Sequence, residues 1–333
     1  KEQVYERIES GQADIIVGTH ALFQKKVQYH NLGLVITDEQ HRFGVMQRKA
    51  LKNKGHQVDF LIMSATPIPR TLAISMYGDM DVSTIKTMPQ GRLPVVTKYI
   101  QSSSMKPILK ELKNYLAQGG QCYVICPLVE DSEHLEAKSA SQIAAAMQAY
   151  FRTQYHVGLL HGQMKDEEKE KVMNGFFNNT IQILVSTTVV EVGVDVKNAN
   201  MMVIYNAERF GMSQLHQLRG RIGRGKEQAY CYLMSSSKAP EAIERLKYME
   251  KSHDGFEISL YDLKLRGPGE VLGQRQSGLP TFLIADIMKD FPVLSIARKD
   301  AEEIVNDYIE KNEYFGLISR IQDKLKENNE YID

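Results

Sequence analysis

The sequence lacks any run of about 18 consecutive apolar residues, so it offers no candidate for a membrane-spanning helix. It has little cysteine. Cys122, Cys126 and Cys231 are too few for a disulfide framework, and the first two lie in an apolar run without metal-ligand spacing, so their expected role is core filling. Net charge is absent too: 41 Lys and Arg balance 41 Asp and Glu. Whole-chain electrostatics therefore does not advertise nucleic acid, and any basic surface must be local. With 43% hydrophobic and 25% charged residues, ordinary globular values, disorder and fibrous repeats are excluded. No G-x-x-x-x-G-K-[ST] phosphate loop occurs anywhere. Gly220–Glu227 (GRIGRGKE) comes near it, but has Glu where Ser or Thr is needed, follows a helical pattern and precedes a strand, the reverse of the required order. The opening KEQVYERIESGQADIIVGTH carries neither an initiator Met nor a signal-peptide core, which reads as an internal start and a fragment.

What is present is alternation, over 333 residues that suit about two domains. Ala13–Val17 (ADIIV), Leu32–Thr37 (LGLVIT) and Phe60–Met63 (FLIM) are short apolar runs without period-2 polarity. Such runs are expected of parallel strands buried on both faces by helices. Met88–Pro94 (MPQGRLP), with two prolines and a glycine, marks a connection. Ile108, Leu109, Leu112, Tyr115 and Leu116 then recur at helical spacing until Gly119-Gly120 stops them. Further strands are expected at Cys122–Pro127, Val157–Leu160, Ile181–Ser186, Met201–Tyr205 and Ala229–Met234. A charged helix at Asp166–Asn178 is expected to cluster Val172, Met173, Phe176 and Phe177 on one side. Strand–helix alternation at this spacing means an α/β fold with a mostly parallel sheet. The chain divides into the end of one α/β domain (1–88), a linker (89–94), a complete α/β domain (95–237) and a helical, polar region (238–333).

The chemistry-bearing residues sit at the strand ends. LGLVIT runs into Asp38-Glu39-Gln40-His41, placing two adjacent carboxylates where α/β sheets bind ligands. One could hold Mg²⁺ and the other polarise an attacking water, although Asp-Glu pairs are also common in solvated turns. FLIM runs into Ser64-Ala65-Thr66, hydroxyl residues that can relay between two ligands or simply form a turn. Gln217-Leu218-Arg219-Gly220-Arg221-Ile222-Gly223-Arg224 alternates arginine with glycine; its three guanidinium forks suit phosphate oxygens better than a solvated helix end does. Arg209, Arg219, Arg221, Arg224 and Lys226 face one acid, Glu208, and form the local positive patch that the overall balance conceals.

Together, DEQH, SAT, TTVVEVGVD (Thr187–Asp195) and QLRGRIGR, in this order, resemble the motifs of superfamily 2 helicases and translocases. DEQHRFGVMQR, SATPIPRTLA and YNAERFGMSQLHQLRGRIGRG sharpen the likeness toward bacterial branch-migrating DNA helicases, with the transcription-repair coupling factor as near relative; His41 favours the former. Asp262–Gly278 (DLKLRGPGEVLGQRQSG) resembles a translocation motif common to both, its bland alternative being a surface turn between helices.

The resemblance implies RecA-like parallel-sheet helicase domains, partial then complete, with a C-terminal helical region. It implies ATP and Mg²⁺ as cofactors, with Asp38 on the metal, Glu39 on the attacking water, and Arg221 and Arg224 as arginine fingers. Gln217, Gly193, Asp195, Arg221 and Arg224 would bind nucleotide. Thr19, His20, Ser64, Thr66, Thr187, Thr188, Arg266 and Gln274 would contact DNA or couple hydrolysis to movement. Branched DNA, meaning forks and Holliday junctions, is the implied partner, together with single-stranded DNA-binding protein, in the cytoplasm. The phosphate cradle is expected before Lys1, so the chain alone is expected to be inactive. A coupling-factor fragment, a non-hydrolytic DNA-binding module and an unrelated phosphatase or nuclease using Asp38-Glu39 remain the alternatives.

Overall fold

The computed structural model describes residues 2–38, 54–55, 58–64, 82–85, 87–89, 91–127, 133–187, 196–266, 290–311 and 313–329. The chain forms two compact units: Lys1–Ile68 with Ile85–Asp262, and Pro69–Thr84 with Leu263–Asp333.

The first unit opens with α1 (Glu2–Glu9), which buries Ile8, and a 3-10 turn at His20–Phe23. Two parallel strands follow, β1 (Leu34–Thr37) and β2 (Asp59–Ile62), paired in register from Leu34 opposite Asp59 to Thr37 opposite Ile62. Ala13–Val17 is not a strand: no described strand pairs with it, and Ile15 and Val17 are 85% and 93% exposed. Nor are β1 and β2 buried on both faces, since Leu34, Ile36 and Leu61 are about half exposed. The parallel pairing is as expected and the burial is not; no other described strand extends this sheet.

The second sheet has six strands, β3 (Val96–Gln101), β4 (Cys122–Ile125), β5 (Val157–Leu160), β6 (Ile183–Ser186), β7 (Met201–Ile204) and β8 (Tyr230–Ser235). Their order is β3-β8-β7-β4-β6-β5 and every pairing is parallel. Because successive side chains point to opposite faces, each central strand feeds two cores. Tyr123, Ile125, Leu184, Met202, Ile204 and Leu233 meet α4 (Asp166–Phe177), α5 (Met212–Arg219), α6 (Pro240–Lys251) and α7 (Gly255–Arg266) through Phe176, Leu215, Met249 and Ile258. Cys122, Val124, Ile183, Val185, Met201 and Val203 meet α2 (Leu109–Ala117) and α3 (Glu133–Phe151) through Leu112, Leu116, Ala144 and Phe151. Helices on both faces explain why these strands read as continuous apolar runs. Burying one such Leu or Ile contributes about 1.5–3 kcal/mol, and Leu112→Ala would cost about 2–5 kcal/mol.

β3 was not expected from its sequence, VTKYIQ: as an edge strand it is only partly covered and tolerates Lys98 and Gln101. In α4, Phe176 is fully buried but Phe177 is 57% exposed, so the expected apolar cluster stops one residue short. All three cysteines are free and buried, with thiols raised by desolvation, to about 12 for Cys126 and Cys231.

Among its described residues the second unit is helical, with α8 (Phe291–Lys311) and α9 (Phe315–Asn329). Helix α8 carries i,i+4 pairs on its surface, Arg298–Glu302 at 3.0 Å and Lys311–Asp307 at 2.7 Å.

Candidate functional site

Parallel pairing brings two of the expected site residues to one sheet end. The Met63 amide donates to the Thr37 carbonyl at 2.8 Å, so the ladder runs to the carboxyl ends of β1 and β2. Asp38 and Ser64 follow at once, both exposed. The exposed Asp38 carboxylate at the end of β1 supplies hard oxygen donors and fits Mg²⁺ held through water. Among the described residues no group of three or more His, Cys, Asp or Glu side chains gathers as a metal cage. Thr19 precedes the 3-10 turn; its carbonyl accepts the Leu22 amide at 3.0 Å and its side chain caps nothing.

Helix α5 and the turn after it carry the arginines. Gly211 has extended backbone, Gln214 reaches back to its amide at 3.0 Å, and the helix ends at Gly220. A helix before this segment and β8 after it confirm that Gly220–Glu227 is no phosphate loop. Arg219, expected on a phosphate-reading surface, is instead 4% exposed. It donates to the Met249 and Ser252 carbonyls, each at 2.9 Å, and to Thr97 Oγ1 at 3.4 Å. Those two carbonyls close the C-terminus of α6, so Arg219 is a buried helix cap. Its Nη2 also lies 3.2 Å from His216 Nδ1; arginine cannot accept, so the imidazole accepts there. Burial and then the Arg219 charge push His216 down to about 4, with Asp254 opposing. The local basic patch therefore has four members rather than five: Arg209, Arg224 and Lys226 are exposed, and Arg221 is half-buried.

The turn bearing Arg221 and Arg224 is fixed by residues that no motif announces. Gly223 has φ +68, and a Cβ there would stand 3.1 Å from both Ala229 Cβ and Val95 Cγ2, so glycine is required. Its amide donates to Asn200 Oδ1 at 3.2 Å. Asn200 is itself held, its amide donating to Tyr115 Oη at 3.0 Å and its carbonyl accepting the Tyr230 amide at 2.8 Å. Arg92 donates to three carbonyls of the same turn. Gln217 is half-buried on α5, one turn ahead of the arginines.

Thr187 follows β6, is 1% exposed, and its Oγ1 has no hydrogen-bond partner among the described residues. His161, which no motif marks, follows the neighbouring β5, and its buried Nδ1 has no hydrogen-bond partner among the described residues. Glu39, Thr66, Thr188, Gly193, Asp195 and Gln274 lie outside the described residues, as do the side chains of His20 and Arg266 and most of the 262–278 motif.

Three family descriptions match the chain: "DEAD/DEAH box helicase" over residues 1–74, "Helicase conserved C-terminal domain" over 105–226, and "ATP-dependent DNA helicase RecG, domain 3, C-terminal" over 252–331. The ATP-dependent DNA helicase RecG of Bacillus subtilis (strain 168) is 51% identical over 305 residues, 92% of this chain and 45% of the relative. That of Staphylococcus aureus (strain NCTC 8325 / PS 47) is 49% identical over 96% of this chain and 47% of its own length. The chain thus spans about half the length of the curated relatives it matches. A solved structure of RecG bound to a three-way DNA junction is 44% identical over 88% of this chain and 38% of that one, with a TM-score of 0.66. S. cerevisiae Dbp5 bound to RNA and ADP BeF3, 16% identical over 74% of this chain and 64% of that one with a TM-score of 0.53, shares the fold.

Proposed function

Because the chain belongs to the RecG family of ATP-dependent DNA helicases, we propose that it forms part of an ATP-driven motor that regresses stalled forks and branch-migrates Holliday junctions. The observation that carries this reading is the likeness to a RecG held on a three-way junction. In this reading residues 1–88 end the first helicase domain, 89–94 connect, 95–237 make the second, and 238–333 carry the helical region with the translocation motif at 262–278. Single-stranded DNA-binding protein is the further proposed partner, and the cytoplasm the proposed compartment.

The proposed chemistry is phosphoryl transfer to water. Asp38 would hold Mg²⁺ through water, an ion that neutralises charge on the β- and γ-phosphates. Glu39 accepts the proton of the attacking water, and Arg221 and Arg224 offset charge gathering on the γ-phosphate oxygens. Gln217, Gly193 and Asp195 complete the nucleotide contacts. Thr19, His20, Ser64, Thr66, Thr187 and Thr188 contact DNA or relay between the two ligands. For Thr187 the supporting fact is its buried hydroxyl, which has no partner among the described residues.

The test is DNA-stimulated phosphate release and three-way-junction unwinding by the longer protein that carries this chain, beside the chain alone. The longer protein is expected to do both. Residues 1–333 by themselves are expected to release phosphate no faster than background, because they contain no phosphate cradle. Robust DNA-stimulated turnover by the chain alone, or none by the longer protein, would overturn the reading.

A further inference from the structure

Arg92 lies in the 89–94 connection, outside every motif that carries the helicase resemblance. Its Nε donates to the Gly223 carbonyl at 2.9 Å, and its Nη2 donates to the carbonyls of Gly220 and Ile222 at 3.1 and 3.3 Å. Two of these oxygens have a special place in the chain. The Gly220 carbonyl belongs to the peptide that leads into Arg221, and the Gly223 carbonyl to the peptide that leads into Arg224. One guanidinium therefore holds the peptide planes before both expected finger arginines. Asn200 grips the same turn at the Gly223 amide, and Gln228 Nε2 ties the turn's far end to the Pro94 carbonyl at 2.8 Å.

We propose that Arg92 is a positioning residue for phosphoryl transfer, setting the direction in which Arg221 and Arg224 leave the backbone. The proposal rests on the reading of those two arginines as fingers. Its physical basis is lever length. A finger side chain is long, so a modest rotation of the peptide before it swings the guanidinium by ångströms. A misplacement of about 1 Å in a catalytic group costs on the order of 10²-fold in rate. Only arginine offers a planar fork of donors that can serve three converging carbonyls; a lysine offers a point charge with rotatable donors and would hold fewer. The carbonyls at the end of α5 also favour a cation, because helix C-termini carry partial negative charge.

The experiment compares Arg92→Ala, Arg92→Lys, Arg221→Ala and the Arg92→Ala/Arg221→Ala double variant in the longer protein. It measures kcat and KM for ATP with junction DNA, melting temperature, and amide hydrogen exchange at residues 220–226. Arg92→Ala is expected to lower kcat by about 10²-fold with KM changed only a few-fold. It should also speed exchange in that turn alone, with Arg92→Lys recovering part of the loss. Arg92→Ala should cost less on the Arg221→Ala background than in the unaltered protein, since Arg92 acts through the fingers and only Arg224 is left to misplace. If Arg221→Ala is crippled while Arg92→Ala keeps its kcat, the positioning role is overturned and the finger reading stands. An unaffected Arg221→Ala overturns both. Losses that multiply in the double variant, or exchange quickened throughout the sheet, mark Arg92 as merely structural and also overturn the proposal.

Discussion

The guanidinium of Arg219 donates to the Met249 carbonyl across 2.9 Å, tying α5 to the C-terminal turn of α6 in the interior. Arg221, two residues on, is half-buried on the turn that follows. One motif thus holds arginines in two different environments.

Arg219→Ala should act on folding. It strips donors from two buried carbonyls and leaves a void, so a loss of about 3 kcal/mol or more is expected. Urea unfolding followed by circular dichroism measures it; a change below about 1 kcal/mol would show that α6 does not depend on this cap.

Arg221→Ala or Arg224→Ala, by contrast, should leave the urea midpoint nearly unchanged and lower kcat strongly in the longer protein. Arginine fingers in related phosphoryl-transfer systems are worth about 10³–10⁵. Fluorescence anisotropy with junction DNA separates the roles: equal losses of DNA binding and turnover would make them DNA-phosphate contacts instead.

In the longer protein, Glu39→Gln should keep ATP binding and stop turnover, because the amide preserves shape without basicity. A positioned general base is worth about 10²–10⁴ in kcat. Unchanged phosphate release would remove Glu39 from the chemistry.

His216 gives the fold a pH dependence of known sign. Its native value is depressed from 6.5 to about 4, so between these limits the unfolded chain binds the extra proton. Stability therefore falls as pH drops through that window, by at most about 1.4 kcal/mol per unit from this group. His216→Gln, which keeps an acceptor for Arg219, should flatten the fall in urea midpoint between pH 6.5 and 4.5. An identical slope in both proteins would assign the effect elsewhere.

In the longer protein, Arg266→Ala or Gln274→Ala should separate hydrolysis from work: DNA-stimulated ATPase largely retained, junction unwinding lost. Proportional loss of both with a lowered melting temperature would instead make the 262–278 segment a structural turn.

The strands β4, β6 and β7 were legible because full burial on both faces demands unbroken apolar runs, and that composition has few other uses. β3 was not, because an edge strand meets no such demand. ADIIV misled for the converse reason: apolar composition does not supply a neighbouring strand to pair with. At the site, Asp38 and Ser64 announced themselves by following strands. Arg219 looked like its neighbours because composition cannot tell a buried cap from a surface reader. Arg92 was invisible for a simpler reason: its three acceptors are backbone carbonyls some 130 positions away, and backbone atoms leave no signature in sequence.

The interior placement of Cys122, Cys126 and Cys231 has a practical consequence. A thiol reacts as its thiolate, and these three are both shielded and protonated at neutral pH. The chain is therefore a silent background for thiol-directed probes without any cysteine being removed. A cysteine substituted for exposed Lys226 would take a maleimide dye alone, reporting on the arginine turn from just beyond its end.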